Sequence, residues 1–357
     1  MSTIPLDEAG RVRESEAFDG GRILPFLREQ IAGLLDGPVE VRQYPGGASN
    51  LTYLLKVGAR EMILRRPPAG TKPKSGHDMA REFHALTQLH PHYPCPTPLA
   101  YCADESLIGS NFYVMEKIAG VILRRDLPLG VADTPEQAGA LCRQLIDMHV
   151  RLHALDFAAI GLADFGKPDG YVERQVTGWS ERFRRARTDD VPDYETIMTW
   201  LKHRLPPESP RPGIIHNDFR FDNVVLAPAD GHPIVGVLDW EMSTLGDPLM
   251  DLGCSLAYWV EAADPPALQA LRMQPSHLPG MLTRREIVDY YAVRTGRTIP
   301  DFSFYYVFGV FRLAVIAQQI YYRWKLGQSK NPRFQSFGRF VNVLSETAAR
   351  AIGNGQG

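Results

Sequence analysis

The spacing of apolar residues changes character a third of the way along the chain. Before residue 134 the apolar positions fall in short runs with a period of two, broken by Gly, Pro and Asn; after it they recur mostly at helical spacing. The first part predicts a helix near residues 24–35 and strands over 39–44, 50–57 and 61–66. The loop 67–77, rich in Pro, Gly and Lys, follows. A helix over 78–90 sets Phe83, Leu86 and Leu89 on one side, and after the loop 91–98 come strands over 99–101 and 112–116. The order is strand–strand–strand–helix–strand–strand. The second part predicts helices over 135–155 (Leu141, Leu145, Met148, Leu152), 179–187, 194–204, 248–260, 284–294 and 302–324. Residues 1–21 have little apolar content, end in Gly20 and Gly21, and read as a partly ordered tail. There are no internal repeats or low-complexity tracts.

Composition narrows the class without naming it. The 357 residues carry 39 basic and 41 acidic side chains, a net charge of −2, and 44% are hydrophobic. This balance argues against broad electrostatic capture of nucleic acid or of an anionic membrane. No stretch approaches the roughly 20 continuous apolar residues of a bilayer span, and residues 1–13 lack a basic segment leading into an apolar run. Cys95, Cys102, Cys142 and Cys254 form no C-x-x-C pair and read as isolated buried thiols. The expectation is a cytoplasmic protein with no nucleic-acid or membrane partner. Its oligomeric state is not encoded legibly.

The chemistry is concentrated in two buried-strand patterns interrupted by oxygen acceptors. Ile214 and Ile215 lead into His216, Asn217, Asp218, Phe219, Arg220, Phe221, Asp222 and Asn223, and then Val224, Val225 and Leu226. The second pattern, Val237 and Leu238, ends in Asp239, Trp240 and Glu241. Asn223 stands five positions after Asp218 and sixteen before Asp239. Phosphoryl transfer from a nucleotide uses this inventory: one carboxylate to orient the attacking hydroxyl, an amide and a second carboxylate to hold Mg²⁺. Taken singly, Asp218 and Asn223 would be ordinary turn residues. A carboxylate closing the run 234–238 is costly without a partner, and a metal supplies one.

These residues resemble the aminoglycoside phosphotransferase family, within the protein-kinase-like fold, and specifically the branch whose eukaryotic members are fused to acyl-CoA dehydrogenase domains. The similarity takes in Gly46 to Asn50, Leu64 to Pro68, Arg81 to Phe83, Phe112 to Glu116, Arg174 to Val176, Thr244 to Pro248, Asp251 to Gly253 and Phe311 to Ala314, spanning roughly residues 22–345. It implies an α+β bilobal fold: a small antiparallel-sheet N-lobe with one helix over 22–117, which binds nucleotide, and a larger, mainly helical C-lobe over 118–357 for catalysis and substrate. The junction would fall at 115–120.

The resemblance implies ATP and Mg²⁺ as cofactors and a small hydroxylated molecule as partner, possibly a hydroxyacyl compound or its CoA ester. Asp218 becomes the catalytic carboxylate, and Asn223 and Asp239 the metal ligands. Arg65 takes the place of the phosphate-binding Lys of kinases, with Glu82 as its helix partner. Strand alternation puts Ile63 on the same face as Arg65, covering the adenine, and sends Met62, Leu64 and Arg66 the other way. Glu116 and Ile118 would read adenine through their backbone, and Ser49 and Asn50 would lie near the phosphates. Arg220 either stabilises charge at the transferred phosphate or fixes an anionic substrate, or else makes a structural ion pair with Asp222 or Glu241. His216 reads as structural, as do Asp247 and Asp251; Trp240 reads as core.

A catalytically silent nucleotide-binding regulatory module is the alternative, supported only by Arg65 in place of Lys. A metal-dependent hydrolase would need a cluster of His or Glu beside these acceptors. His149 and His153 stand four apart on a predicted helix, but no Glu follows His149, and core histidines explain them better than zinc. His90 and His92 lie in a Pro-rich loop without further ligands. Lys72 and Lys74 read as solvated charges.

Overall fold

The computed structural model describes residues 8–45, 50–68, 78–329 and 331–354. Ser49, the glycines before it, Lys72 and Lys74 lie outside the described residues. In chain order the elements are α1 (Leu24–Gln30), β1 (Val39–Gln43), β2 (Leu51–Val57), β3 (Arg60–Arg66), α2 (Met79–Leu89), β4 (Pro98–Cys102) and β5 (Phe112–Glu116). Then come α3 (Pro135–His153), α4 (Tyr171–Ala186), α5 (Glu195–His203), β6 (Gly213–Ile215), β7 (Val224–Leu226), β8 (Ile234–Val237) and β9 (Thr244–Gly246). The chain ends with α6 (Pro248–Ala257), the short α7 (Pro266–Gln269), α8 (Arg284–Thr295), α9 (Ser303–Lys325) and α10 (Phe337–Asn354). This is the α+β protein-kinase-like fold expected.

The chain divides into two compact units: residues 1–122, 158–162 and 223–242 in one, and 123–157, 163–222 and 243–357 in the other. The first is built on an antiparallel sheet of order β1-β2-β3-β5-β4. One face of the sheet carries Tyr53, Leu55, Val57, Met62, Leu64 and Val114 into a core closed by Ile23 and Leu27. α1 stops at Gln30, short of the expected 24–35, because Ile31 is extended and Gly33 takes a left-handed φ of 73°. The segment expected as a tail is tied to the sheet: Gly10 and Gln43 exchange backbone hydrogen bonds, and Tyr53 Oη donates to Glu16 O at 2.9 Å. The β7–β8 hairpin belongs to this unit rather than to the second lobe assumed from the sequence. Leu226 and Val121 exchange backbone hydrogen bonds of 2.8 Å each, and Val237 N donates to Pro94 O.

The second unit is mainly helical. Thr134 and Gln137 form a capping box that starts α3. α4 begins at Tyr171, eight residues before the expected 179, after Gly170 in the left-handed region. α9 carries Val307, Phe308, Phe311 and Ala314 into the core. Its 23 residues are long and apolar enough to cross a bilayer by length and composition, contrary to the reading of the sequence, and burial inside this unit accounts for that composition. α6 and α9 cross at Gly253 and Gly309. A methyl group on Gly253 would collide with the carbonyl of Tyr305, and one on Gly309 with the carbonyl of Gly253.

Candidate active site

In the sheet unit, alternation along β3 decides the site. Met62 and Leu64 enter the core, and Arg66 follows them to donate to Ile108 O (2.8 Å) and to Tyr53 Oη (3.1 Å). Arg65 turns the other way, 7% exposed. Its Nη1 donates to Glu82 Oε1 at 2.8 Å, and its Nη2 to Asp239 Oδ1 at 2.9 Å and Glu241 Oε2 at 3.4 Å. Asn50 Nδ2 donates to the same Glu241 oxygen at 2.6 Å. Burial works against the charge of Arg65, but Glu82, Tyr113, Asp239 and Glu241 outweigh it and hold the guanidinium well above its ordinary range. Burial raises Glu82 against the pull of Arg65. One guanidinium thus faces three carboxylates, a formal excess of two negative charges (+1 against −3). That excess suits a divalent cation.

The hairpin presents the other two acceptors. Asn223 leads into β7 and Asp239 follows β8, and Leu238 N donates to Asn223 O at 2.8 Å, which fixes their backbones side by side. Asp239 has a left-handed φ of 66°, a conformation Asp tolerates better than most residues and one that recurs at functional positions. Trp240 is core, as expected: its Nε1 donates to Val237 O and its ring meets Tyr93 edge-on. An amide oxygen and a carboxylate are the hard ligands Mg²⁺ prefers, so the donor set fits the expected metal. Ile63 is buried on the Arg65 face. Glu116 N donates to Thr97 O and its side chain is half-exposed beside Arg60, while Ile118 packs against Gly236.

In the helical unit, β6 delivers the loop from His216 to Asp222. The loop is held from below by Asp251, on the first turn of α6 and fully buried. Its oxygens accept from His216 N and Asn217 N at 2.7 Å each, from His149 Nε2 at 3.0 Å and from His153 Nε2 at 3.1 Å. Burial would raise this carboxyl, but the two histidines prevail and hold it well below the usual carboxylate range. Burial pushes His153 down to about 4, so it is neutral: Nε2 donates to Asp251, and Nδ1 accepts from Tyr291 Oη at 2.8 Å. His149, His153 and Asp251 bring three potential ligand atoms within 4.8 Å, yet they are committed to bracing the loop. Asn217 has φ of 65°, a left-handed conformation that Asn tolerates better than most residues. His216 is structural, its Nδ1 accepting from Asp218 N at 3.2 Å.

Arg220 Nε donates to Asp218 Oδ1 at 3.1 Å, its Nη1 lies 2.7 Å from Asp222, and its guanidinium sits 4.6 Å from the centre of the Tyr258 ring. Of the ion-pair partners considered for Arg220, Asp222 lies in the same unit, and the structure makes that pair. Burial pushes Asp222 up to about 6, with Arg220 opposing. The structure therefore brings Arg65, Glu82, Asn50 and Asp239 together in one unit, and Asp218 with Arg220 in the other. Sequence reasoning missed Glu241 and Tyr113 as members of the first cluster; the only signal was that Glu241 stands two residues after Asp239.

Residues 40–287 match the Phosphotransferase enzyme family. Acyl-CoA dehydrogenase family member 10 of Mus musculus is 34% identical over 340 residues, covering 94% of this chain; the chain spans only 31% of that relative's length. A candidate aminoglycoside phosphotransferase of Ralstonia eutropha, known as a crystal structure, is 29% identical with a TM-score of 0.80, over 95% of this chain and 99% of the other. Aminoglycoside phosphotransferase APH(4)-Ia, solved as a ternary complex with AMP-PNP and hygromycin B, shares the fold at 16% identity and a TM-score of 0.57, over 92% of this chain and 98% of the other.

Proposed function

Because the chain belongs to the phosphotransferase enzyme family, we propose that it transfers the γ-phosphoryl group of ATP to a hydroxyl of a small molecule, with Mg²⁺ required. The observation that carries this reading is the cluster of Glu82, Asp239 and Glu241 around Arg65, with its excess of negative charge and its donors for a metal. Mg²⁺ supplies charge neutralisation at the phosphates, and Asn223 and Asp239 would hold it. Arg65 contributes positive charge to the α/β-phosphates, positioned by Glu82; Asn50 lies on the phosphate side, Ile63 covers the adenine, and the backbone of Glu116 and Ile118 reads its edge.

Asp218 accepts the proton of the acceptor hydroxyl. A bond forms between that oxygen and the γ-phosphorus, the bond to the β–γ bridging oxygen breaks, and ADP leaves. Arg220, fixed on Asp218, stabilises charge on the transferred group. The acceptor is a hydroxyacyl compound, free or as a CoA ester, in keeping with the acyl-CoA dehydrogenase names of the relatives. Four buried free thiols suit a reducing, cytoplasmic setting.

The test is a screen of hydroxylated acids, their CoA esters, amino alcohols and sugars for Mg²⁺-dependent ADP release. Release with one acceptor class, lost in Asp218→Asn, supports the reading. Tight nucleotide binding with no release across the panel would favour the silent regulatory module instead.

A further inference from the structure

In the sheet unit, the segment 10–18 runs past the edge strand β1 and over the ends of β2 and β3. Gly10 and Gln43, the last residue of β1, exchange backbone hydrogen bonds of 2.8 and 2.9 Å. The side chain of Gln43 then holds the segment further along: Oε1 accepts from Arg13 N at 3.0 Å, and Nε2 donates to Glu16 Oε2 at 2.5 Å. The same Glu16 oxygen lies 2.7 Å from Arg13 Nε. The carbonyl of Glu16 accepts from Tyr53 Oη on β2 at 2.9 Å and from Arg66 Nη2 on β3 at 2.6 Å. One residue thus joins side chains from three neighbouring strands.

Gln43 and Tyr53 are direct partners across β1 and β2, and Arg66 stands opposite Leu51 across β2 and β3. Gln43, Tyr53 and Arg66 are all buried. A guanidinium held out of water is costly unless its donors are occupied, and Arg66 directs them to Glu16 O, Tyr53 Oη and Ile108 O. Displacing Glu16 therefore displaces Arg66. The consequence reaches the nucleotide side, because Arg65 precedes Arg66 in the chain and Asn50 precedes Leu51. Arg65 Nη2 and Asn50 Nδ2 converge on one oxygen, Glu241 Oε2.

We propose that Glu16 and Gln43 form a clasp that positions the phosphate grip: by fixing Arg66 from the core face, they hold Arg65 and Asn50 in register for the nucleotide phosphates. Both are positioning residues, acting through Arg66 and the strand ends. The proposal rests on the phosphotransferase reading for the role of Arg65 and Asn50. A clasp of this kind serves the phosphates and leaves the adenine contacts alone, which separates it from general support of the sheet.

The experiment is calorimetric binding of Mg·AMP-PNP and of adenosine to the full chain and its variants. Gln43→Glu removes the donor to Glu16 and sets two carboxylates together; it should weaken AMP-PNP about fivefold to tenfold and adenosine by less than about twofold. Adding Glu16→Gln to Gln43→Glu exchanges amide and carboxylate across the same contact, with Arg13 in reach of both sides, and should return AMP-PNP to within about twofold of the parent. Tyr53→Phe, which removes one donor to the Glu16 carbonyl, should shift the ratio of the two ligands in the same direction, and it carries the comparison if Gln43→Glu does not fold. Variants that lower the melting temperature yet weaken both ligands alike, or neither, make the clasp a support of the sheet only and overturn the proposal. So does a double variant that fails to recover. A parent that binds no AMP-PNP at all removes the phosphotransferase reading and the proposal with it, an outcome distinct from a parent that binds and variants that do not respond.

Discussion

Acidification should unfasten the loop from His216 to Asp222 through His153. This imidazole is neutral in the folded protein, caught between an acceptor at Nε2 (Asp251) and a donor at Nδ1 (Tyr291 Oη). Adding a proton to Nδ1 would turn that hydrogen bond against itself inside a buried site. The side chain titrates at about 4 when folded against 6.5 when free, so below 6.5 the unfolded chain binds a proton that the folded chain refuses. The contribution to stability is therefore fully present above 6.5, is lost as pH falls, and levels off below about 4. The loss reaches about 2 kcal/mol at pH 5 and about 3 kcal/mol at the plateau. That is a sizeable share of the roughly 5–15 kcal/mol by which a domain is stable. Urea denaturation from pH 7.5 to 4.5 on the parent and on His153→Gln measures it. The variant starts less stable at pH 7.5, and its curve should be flatter by about 2 kcal/mol at pH 5. Parallel curves for the two proteins would refute the assignment of a neutral, hydrogen-bonded His153. Asp251 adds an acid limb of the same sign: its carboxyl is depressed on folding, so its contribution, present above the ordinary carboxylate pKa, disappears only as pH falls further.

The other expectations concern the residue clusters of the two units in turn. Asp218→Asn should abolish turnover and leave AMP-PNP affinity within a few-fold, measured by ADP release and calorimetry; retention of most activity would remove Asp218 from the chemistry. Asp239→Ala should weaken Mg·ATP far more than metal-free adenosine, and equal losses would make the residue structural. Arg65→Ala leaves Glu82, 2% exposed, without its ion-pair partner, and should cost about 3–5 kcal/mol in urea denaturation along with most of the affinity for ATP. Arg65→Lys should fall between parent and Ala, and Arg65→Met close to Ala. An Ala variant with unchanged ATP affinity would place Arg65 outside the nucleotide site.

The sheet was largely legible because a half-buried strand writes its two faces into alternate residues. Met62 and Leu64 against Ile63 and Arg65 announce which side chains meet the core. The start of α4 was not, since 173–178 is Glu, Arg, Gln, Val, Thr and Gly, which hides an apolar stripe of Val172, Val176, Trp179 and Phe183. α10 escaped for a similar reason: small and polar residues surround Val341, Leu344 and Ala348, and its apolar face acquires meaning only where it packs on α9. Asp218, Asn223 and Asp239 were visible as a spacing.

The contact at Gly253 and Gly309 ties two helices to one mechanical joint. α6 carries Asp251, which holds the loop from His216 to Asp222, and α9 carries Arg312, whose guanidinium lies over the Trp179 ring. Main chain rests on main chain at the crossing, leaving no side chain that could be trimmed or enlarged to slide one helix along the other. The distance from the loop's anchor to Arg312 is therefore inherited from the backbone. Relatives are therefore expected to keep both glycines whatever side chains α6 and α9 carry around them.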